Sequence, residues 1–181
     1  NWKTKMSFNY QFTTEFKSIE PNKTTIESAS KIVEKKRKKI PASGKFPTVI
    51  ENNCMGVLLN SYSSIFSAKM VQEGKSPLSG KLGLNIGSSL VHLIDDATRP
   101  AGLASRPFDA EGYPSQHLSL VENGVLKSFL HNTETASKDG VKSTGHASRF
   151  SYRGTIGIDT SNFYLEAGQH SKEKLLEDIG T

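Results

Sequence analysis

The hydrophobic pattern changes period along the chain. Met6, Phe8, Tyr10 and Phe12 alternate with Ser7, Asn9 and Gln11, a period of two that predicts a half-buried strand. After Pro21-Asn22, Thr24-Thr25-Ile26-Glu27 has capping-box spacing and predicts a helix over 24–40, stopped by Pro41. Its apolar stripe, Ile26, Ala29 and Val33, covers only the first half. After the linker 41–44, residues 46–50 read as a short buried strand. From 53 to 73 apolar residues recur at Met55, Leu58, Leu59, Tyr62, Ile65, Phe66 and Met70, a 3-4 spacing that predicts one continuous helix stopped by Gly74. A Gly- and Ser-rich loop over 76–88 leads to a strand over 89–94. Strands over 113–121 and 125–131 flank Glu122-Asn123-Gly124, and Asn-Gly is a strong hairpin signal. A short helix or turn over 133–138, a strand over 161–166 and a helix capped by Ser171 complete the order. The expected class is α+β: helices early, then a mainly antiparallel, β-rich, barrel-like domain. The domain division is placed at 1–44 and 45–181.

Composition sets limits. With 181 residues, 35% hydrophobic and 23% charged, the chain suits a folded domain rather than disorder. The net charge of +5 is partly local, since Lys35-Lys36-Arg37-Lys38-Lys39 is one run of cations. Consecutive helical residues point in all directions and no aromatic residues interleave them, so a solvated helix end is expected and nucleic acid is not an expected partner. The lone cysteine, Cys54, excludes an internal disulfide and points to a reducing, cytoplasmic compartment. No apolar run is long enough to span a membrane. Asn1 opens the chain and a helix begins near its end, so it reads as a piece of a longer protein.

The most specific signal is an ordered series of motifs. Phe108-Asp109-Ala110-Glu111-Gly112-Tyr113-Pro114 precedes Leu120-Val121-Glu122-Asn123-Gly124-Val125-Leu126-Lys127. Upstream lie Ser79-Gly80-Lys81-Leu82-Gly83 and Leu93-Ile94-Asp95-Asp96. Downstream come Ser143-Thr144-Gly145 and Ser161-Asn162-Phe163-Tyr164 with Gly168. In that order the set resembles the TldD/PmbA family, once called modulators of DNA gyrase, across residues 29–180.

The resemblance implies a specific deficit. Catalytic members carry HExxxH just after a Gly-Val-Leu-Leu run, which here is Gly56-Val57-Leu58-Leu59. The two histidines and the glutamate would then fall on Asn60, Ile65 and Ser61. Zinc takes imidazole, thiolate or carboxylate donors, and a serine cannot act as the carboxylate general base. Cys54 lies upstream and does not match the cysteine that completes the site late in catalytic relatives. Ligands five residues apart lie about 140° apart on a regular helix, so catalytic relatives must distort that turn; nothing in this sequence calls for such a distortion. The resemblance therefore implies the PmbA/TldE branch, a subunit without a metal or cofactor of its own. Zinc is expected only in a catalytic partner. The expected partners are a second copy or a TldD-type subunit, with peptides as substrates; a homodimeric regulator of the gyrase-modulator kind is the alternative.

Other candidates have simpler readings. Asp109 and Glu111 form a carboxylate pair suited to acid/base work, but with Gly112 and Pro114 they also suit a tight turn, and a structural or interface role is expected for them and for Glu122, Asn123 and Gly124. Asp95-Asp96 reads as a turn cap. His117 and His131, expected on paired strands, lack a third ligand.

Overall fold

The computed structural model describes residues 6–37 and 42–179. Two compact units divide after Pro47.

In the first unit, residues 6–12 join no sheet among the described residues, so the expected strand does not form. The aromatic positions face solvent, with Phe8 stacked on Tyr10 at 6.3 Å. Alternation makes a strand only where another backbone supplies ladder partners, and the described residues of this unit form no such ladder. Helix α1, Pro21–Arg37, starts three residues before the capping-box reading. Pro21 is suited to the first helical position because it has no N–H to satisfy there. Thr24 and Thr25 donate their hydroxyls to the Glu20 and Pro21 carbonyls instead of capping. The expected helix end at Ile40, and Lys38 and Lys39 of the basic run, lie outside the described residues. Residues 46–50 form no strand, and Phe46 and Ile50 are exposed.

The second unit carries the core. Helix α2, Asn52–Tyr62, ends in a 3₁₀ turn, Ser63–Phe66, followed by α3, Ala68–Gln72. The single helix expected over 53–73 is therefore broken. Tertiary pairing breaks it: Leu130 N–H donates to Phe66 O at 2.9 Å, and Ala68 N–H donates to Leu130 O at 2.9 Å. Gly74, at φ 68°, terminates α3 in the left-handed region.

The sheet is antiparallel in the order β3-β2-β1-β6, formed by β1 (Leu93–Asp96), β2 (His117–Glu122), β3 (Val125–Leu126) and β6 (Phe163–Leu165). Beyond β3 the backbone of residues 83–86 adds hydrogen bonds, with Gly83 N–H donating to Leu126 O and Leu126 N–H to Leu84 O, and the sheet does not close into a barrel over the described residues. Asn123 and Gly124, at φ 49° and 75°, connect β2 to β3 as a two-residue turn of the type whose twist suits a hairpin. Helix α4, Thr133–Asp139, is capped by Asn132, whose side chain accepts from Thr135 N–H. A second pair, β4 (Ala147–Ser148) and β5 (Gly157–Ile158), precedes β6, and α5, Lys172–Asp178, ends the order. Phe66, Leu93, Leu120, Val121, Leu126 and Leu130 form the main cluster, and Phe163 meets Phe66 edge-on at 5.9 Å.

Candidate functional site

Asn60 and Ser61 lie exposed near the end of α2, whereas Ile65 lies in the 3₁₀ turn and packs against the core. The expectation of an undistorted turn is thus corrected. Ser76 donates its hydroxyl to Ile65 O at 2.6 Å, and Ser67 N–H donates to Ser64 O at 3.0 Å, fixing the departure from α geometry. The helix changes pitch at the point where a five-residue ligand spacing would require it. The side chains do not fit a metal: they offer an amide, a hydroxyl and an aliphatic group. Among the described residues no other group of three or more His, Cys, Asp or Glu side chains could hold an ion. A cleft beside this turn, between Ser63, Ser64 and Ser67 and the Asp159-Thr160 segment, measures about 60 Å³. Ligand pockets typically have roughly 300–1,000 Å³.

The motif carboxylates are engaged in holding loops. Asp109 is 4% exposed. Its Oδ1 accepts from Glu111 N–H at 2.9 Å and Tyr113 N–H at 3.0 Å, and its Oδ2 accepts from Ala147 N–H at 2.9 Å. One carboxylate therefore closes the Asp109–Tyr113 turn and ties it to β4. Gly112 supplies the positive φ, 79°, that this turn needs. Glu111 is exposed, and its Oε2 accepts from Thr133 N–H at 2.8 Å, where the first turn of α4 favours negative charge. Glu122 lies exposed at the hairpin, 3.7 Å from Lys127.

The two adjacent aspartates have separate roles. Asp96 is the turn cap, accepting from Thr98 N–H and Oγ1–H, and lies 3.1 Å from His117 Nδ1. Partial burial raises the Asp96 pKa, but the Thr98 and His117 bonds outweigh that effect and hold it below the usual carboxylate value. Asp95 is instead fully buried, which corrects its reading as a cap. Its Oδ1 lies 3.0 Å from His146 Nε2, and it accepts from Ser161 N–H and the Ser161 hydroxyl. His146 Nδ1 lies 2.9 Å from Thr144 Oγ1, which also accepts from His131 N–H at 2.7 Å. This chain of buried polar groups joins β1 to the 143–147 loop, the segment before β6, and residue 131.

Ser, Asp and His meet here in the wrong order for nucleophilic catalysis. Ser161 donates to the carboxylate rather than to the imidazole, so His146 is not placed to take its proton as the histidine of a triad does. His131 and His117 are not on paired strands, since His131 follows β3 and His117 pairs in register with Asp96. Burial lowers the His131 pKa, and its Nδ1 has no hydrogen-bond partner among the described residues. Sequence reading missed the Asp95–His146 pair because 51 residues separate its members. The adjacent motifs Leu93-Ile94-Asp95-Asp96 and Ser143-Thr144-Gly145 were its only trace.

A family profile, the PmbA/TldA metallopeptidase C-terminal domain, matches residues 43–181. The chain belongs to the PmbA/TldD family. Within that family it is 40% identical over 144 residues to a metalloprotease of Methanothermobacter thermautotrophicus, covering 77% of this chain and 30% of that protein. Among solved structures it is similar to a Thermotoga maritima protein described as a modulator of a DNA gyrase, with TM-score 0.84 and 36% identity over 92% of this chain and 38% of the other. It is also similar to TldE from Thermococcus kodakarensis, with TM-score 0.61 and 31% identity over 67% of this chain and 28% of that one. This PmbA/TldD chain thus spans about a third of the length of these relatives. Its fold is that of the family, with helices first and the antiparallel sheet after. Among the described residues, no helix is long and apolar enough to cross a membrane.

Proposed function

We propose that this PmbA/TldD chain belongs to a non-catalytic subunit of a TldD/TldE-type peptidase that acts on unstructured peptides in the cytoplasm. One observation carries the reading: the turn between α2 and α3 has the break that a metal-binding helix of this family would need, while Asn60, Ser61 and Ile65 provide no donor set for zinc. The break without donors supports a site that keeps its scaffold and lacks its chemistry. A subunit of this kind would contribute an interface and part of a substrate chamber, pairing with a second copy or with a zinc-bearing TldD-type subunit.

Peptide hydrolysis and zinc content of the full-length protein test this, measured alone and after mixing with a TldD-type protein from the same source. The expected result is no stoichiometric zinc and no cleavage by the protein alone, with cleavage enhanced in the mixture. Tight zinc with chelator-sensitive, unaided hydrolysis would overturn it. The likeness to the protein described as a DNA gyrase modulator supports a second reading, a homodimeric regulator without peptidase function. Under that reading mixing leaves cleavage unchanged, and the isolated homodimer alters the supercoiling rate of the gyrase from the same source.

A further inference from the structure

The β4–β5 hairpin is held by two residue pairs, Ala147 with Ile158 and Ser148 with Gly157. Between them lies a loop, residues 149–156, that opens with Arg149-Phe150-Ser151-Tyr152-Arg153-Gly154. Phe150 is 104% exposed and Tyr152 is 79% exposed. Both arginines are exposed as well. Arg153 lies with its guanidinium carbon 5.0 Å from the Tyr152 ring centroid. Among the described residues neither guanidinium lies within ion-pair distance of a carboxylate. The loop residues 149–156 contain no Asp or Glu.

Two large aromatic side chains beside two arginines that pair with no carboxylate among the described residues form an unusual surface for a loop tip. Aromatic and Arg side chains dominate binding energy where proteins meet partners, because the rings bring apolar area at little entropic cost and the guanidinium fork matches a carboxylate. We propose that this tip binds acidic, unfolded peptide segments, the arginines pairing with Asp or Glu carboxylates and Phe150 covering an adjacent apolar side chain. The proposal rests on the peptide-processing reading and names the class of peptide. Charge complementarity selects this occupant. A single-stranded nucleic acid is disfavoured because Arg153 already covers a face of Tyr152, and two cations offset few phosphates.

The test is fluorescence anisotropy with the full-length protein and labelled unstructured peptides: one rich in Asp, Glu and Leu, one neutral, and one rich in Lys. A thymidine oligonucleotide provides the competing polyanion. The acidic peptide is expected to bind roughly tenfold more tightly than the Lys-rich one, and R149Q/R153Q to remove that preference. F150A/Y152A is expected to weaken the acidic peptide roughly fivefold with no change in thermal midpoint, because neither ring touches the core. Equal affinity for all peptides would overturn the proposal, as would a preference for the oligonucleotide that the same variants abolish. It would also be overturned if F150A/Y152A changed the oligomeric mass, or if hydrogen exchange showed residues 149–154 protected in the full-length protein. Binding is read without a catalytic partner. A negative binding result therefore leaves the mixing experiment to be read on its own, and failure of the mixing experiment leaves the binding measurement intact.

Discussion

Asp95 and His146 meet 3.0 Å apart with exposures of 0% and 1%, fastening the central strand of the sheet to the loop that leads into β4. The pair is satisfied on both sides, by Ser161 on the carboxylate and by Thr144 on the imidazole. Removing either partner leaves a buried polar group without its complement.

Asp95→Ala is accordingly expected to cost about 3–5 kcal/mol, the usual effect of breaking a buried pair from one side. Urea denaturation of the variant and its parent measures this. A loss below about 1 kcal/mol would show that water replaces the carboxylate, contrary to the burial seen here.

Asp109→Ala withdraws the acceptor of three backbone N–H groups, those of Glu111, Tyr113 and Ala147. The expected destabilisation is about 2–4 kcal/mol, whereas Glu111→Gln, at an exposed helix start, is expected to stay within about 1 kcal/mol. Thermal unfolding with a peptidase assay of the proposed complex separates the readings. An Asp109→Asn protein of full stability but abolished activity would make this carboxylate chemical rather than structural.

The acid limb of stability is predicted from His131. Burial lowers its folded-state pKa below the ordinary histidine value of about 6.5, so the unfolded chain takes up the proton first as pH falls. Its contribution is present above the unfolded value and is lost as pH drops from about 6.5 toward the folded value, with a slope of at most about 1.4 kcal/mol per pH unit for one proton. Denaturation midpoints measured from pH 8 down to pH 5 check this in the parent and in His131→Gln, where the dependence should be shallower over that interval. An identical dependence in both would assign the acid sensitivity to other groups.

Two glycines with left-handed backbones differ in what a methyl group would meet. At Gly145, φ 71°, a Cβ would lie 2.6 Å from Pro114 O, while at Gly140, φ 67°, nothing lies within 4 Å. Gly140→Ala is expected to cost about 1 kcal/mol through backbone strain alone, and Gly145→Ala more than about 3 kcal/mol because backbone must also shift. Calorimetry of the two variants side by side tests the ranking.

Local signals were legible in proportion to how local their physics is. Asn123-Gly124 specified its turn because positive φ at two successive residues is a property of those residues, and the Ser171 cap and the Gly74 stop lie within one helical turn of the backbone groups they govern. Alternation at Met6–Phe12 misled because a strand needs a second backbone. Periodicity through Met70 misled because apolar spacing does not register that Phe66 and Ala68 exchange hydrogen bonds with Leu130.

The sequence alone determined the α+β order, the hairpin, the family and the absence of zinc donors at Asn60, Ser61 and Ile65, because these follow from side-chain chemistry and short-range backbone preference. Tertiary structure alone decided that the helix breaks before Ser67, that Asp109 serves three amides, and that Asp95 lies buried against His146. Those facts depend on which distant groups packing excludes from water, and exclusion from water is a property of the assembled chain.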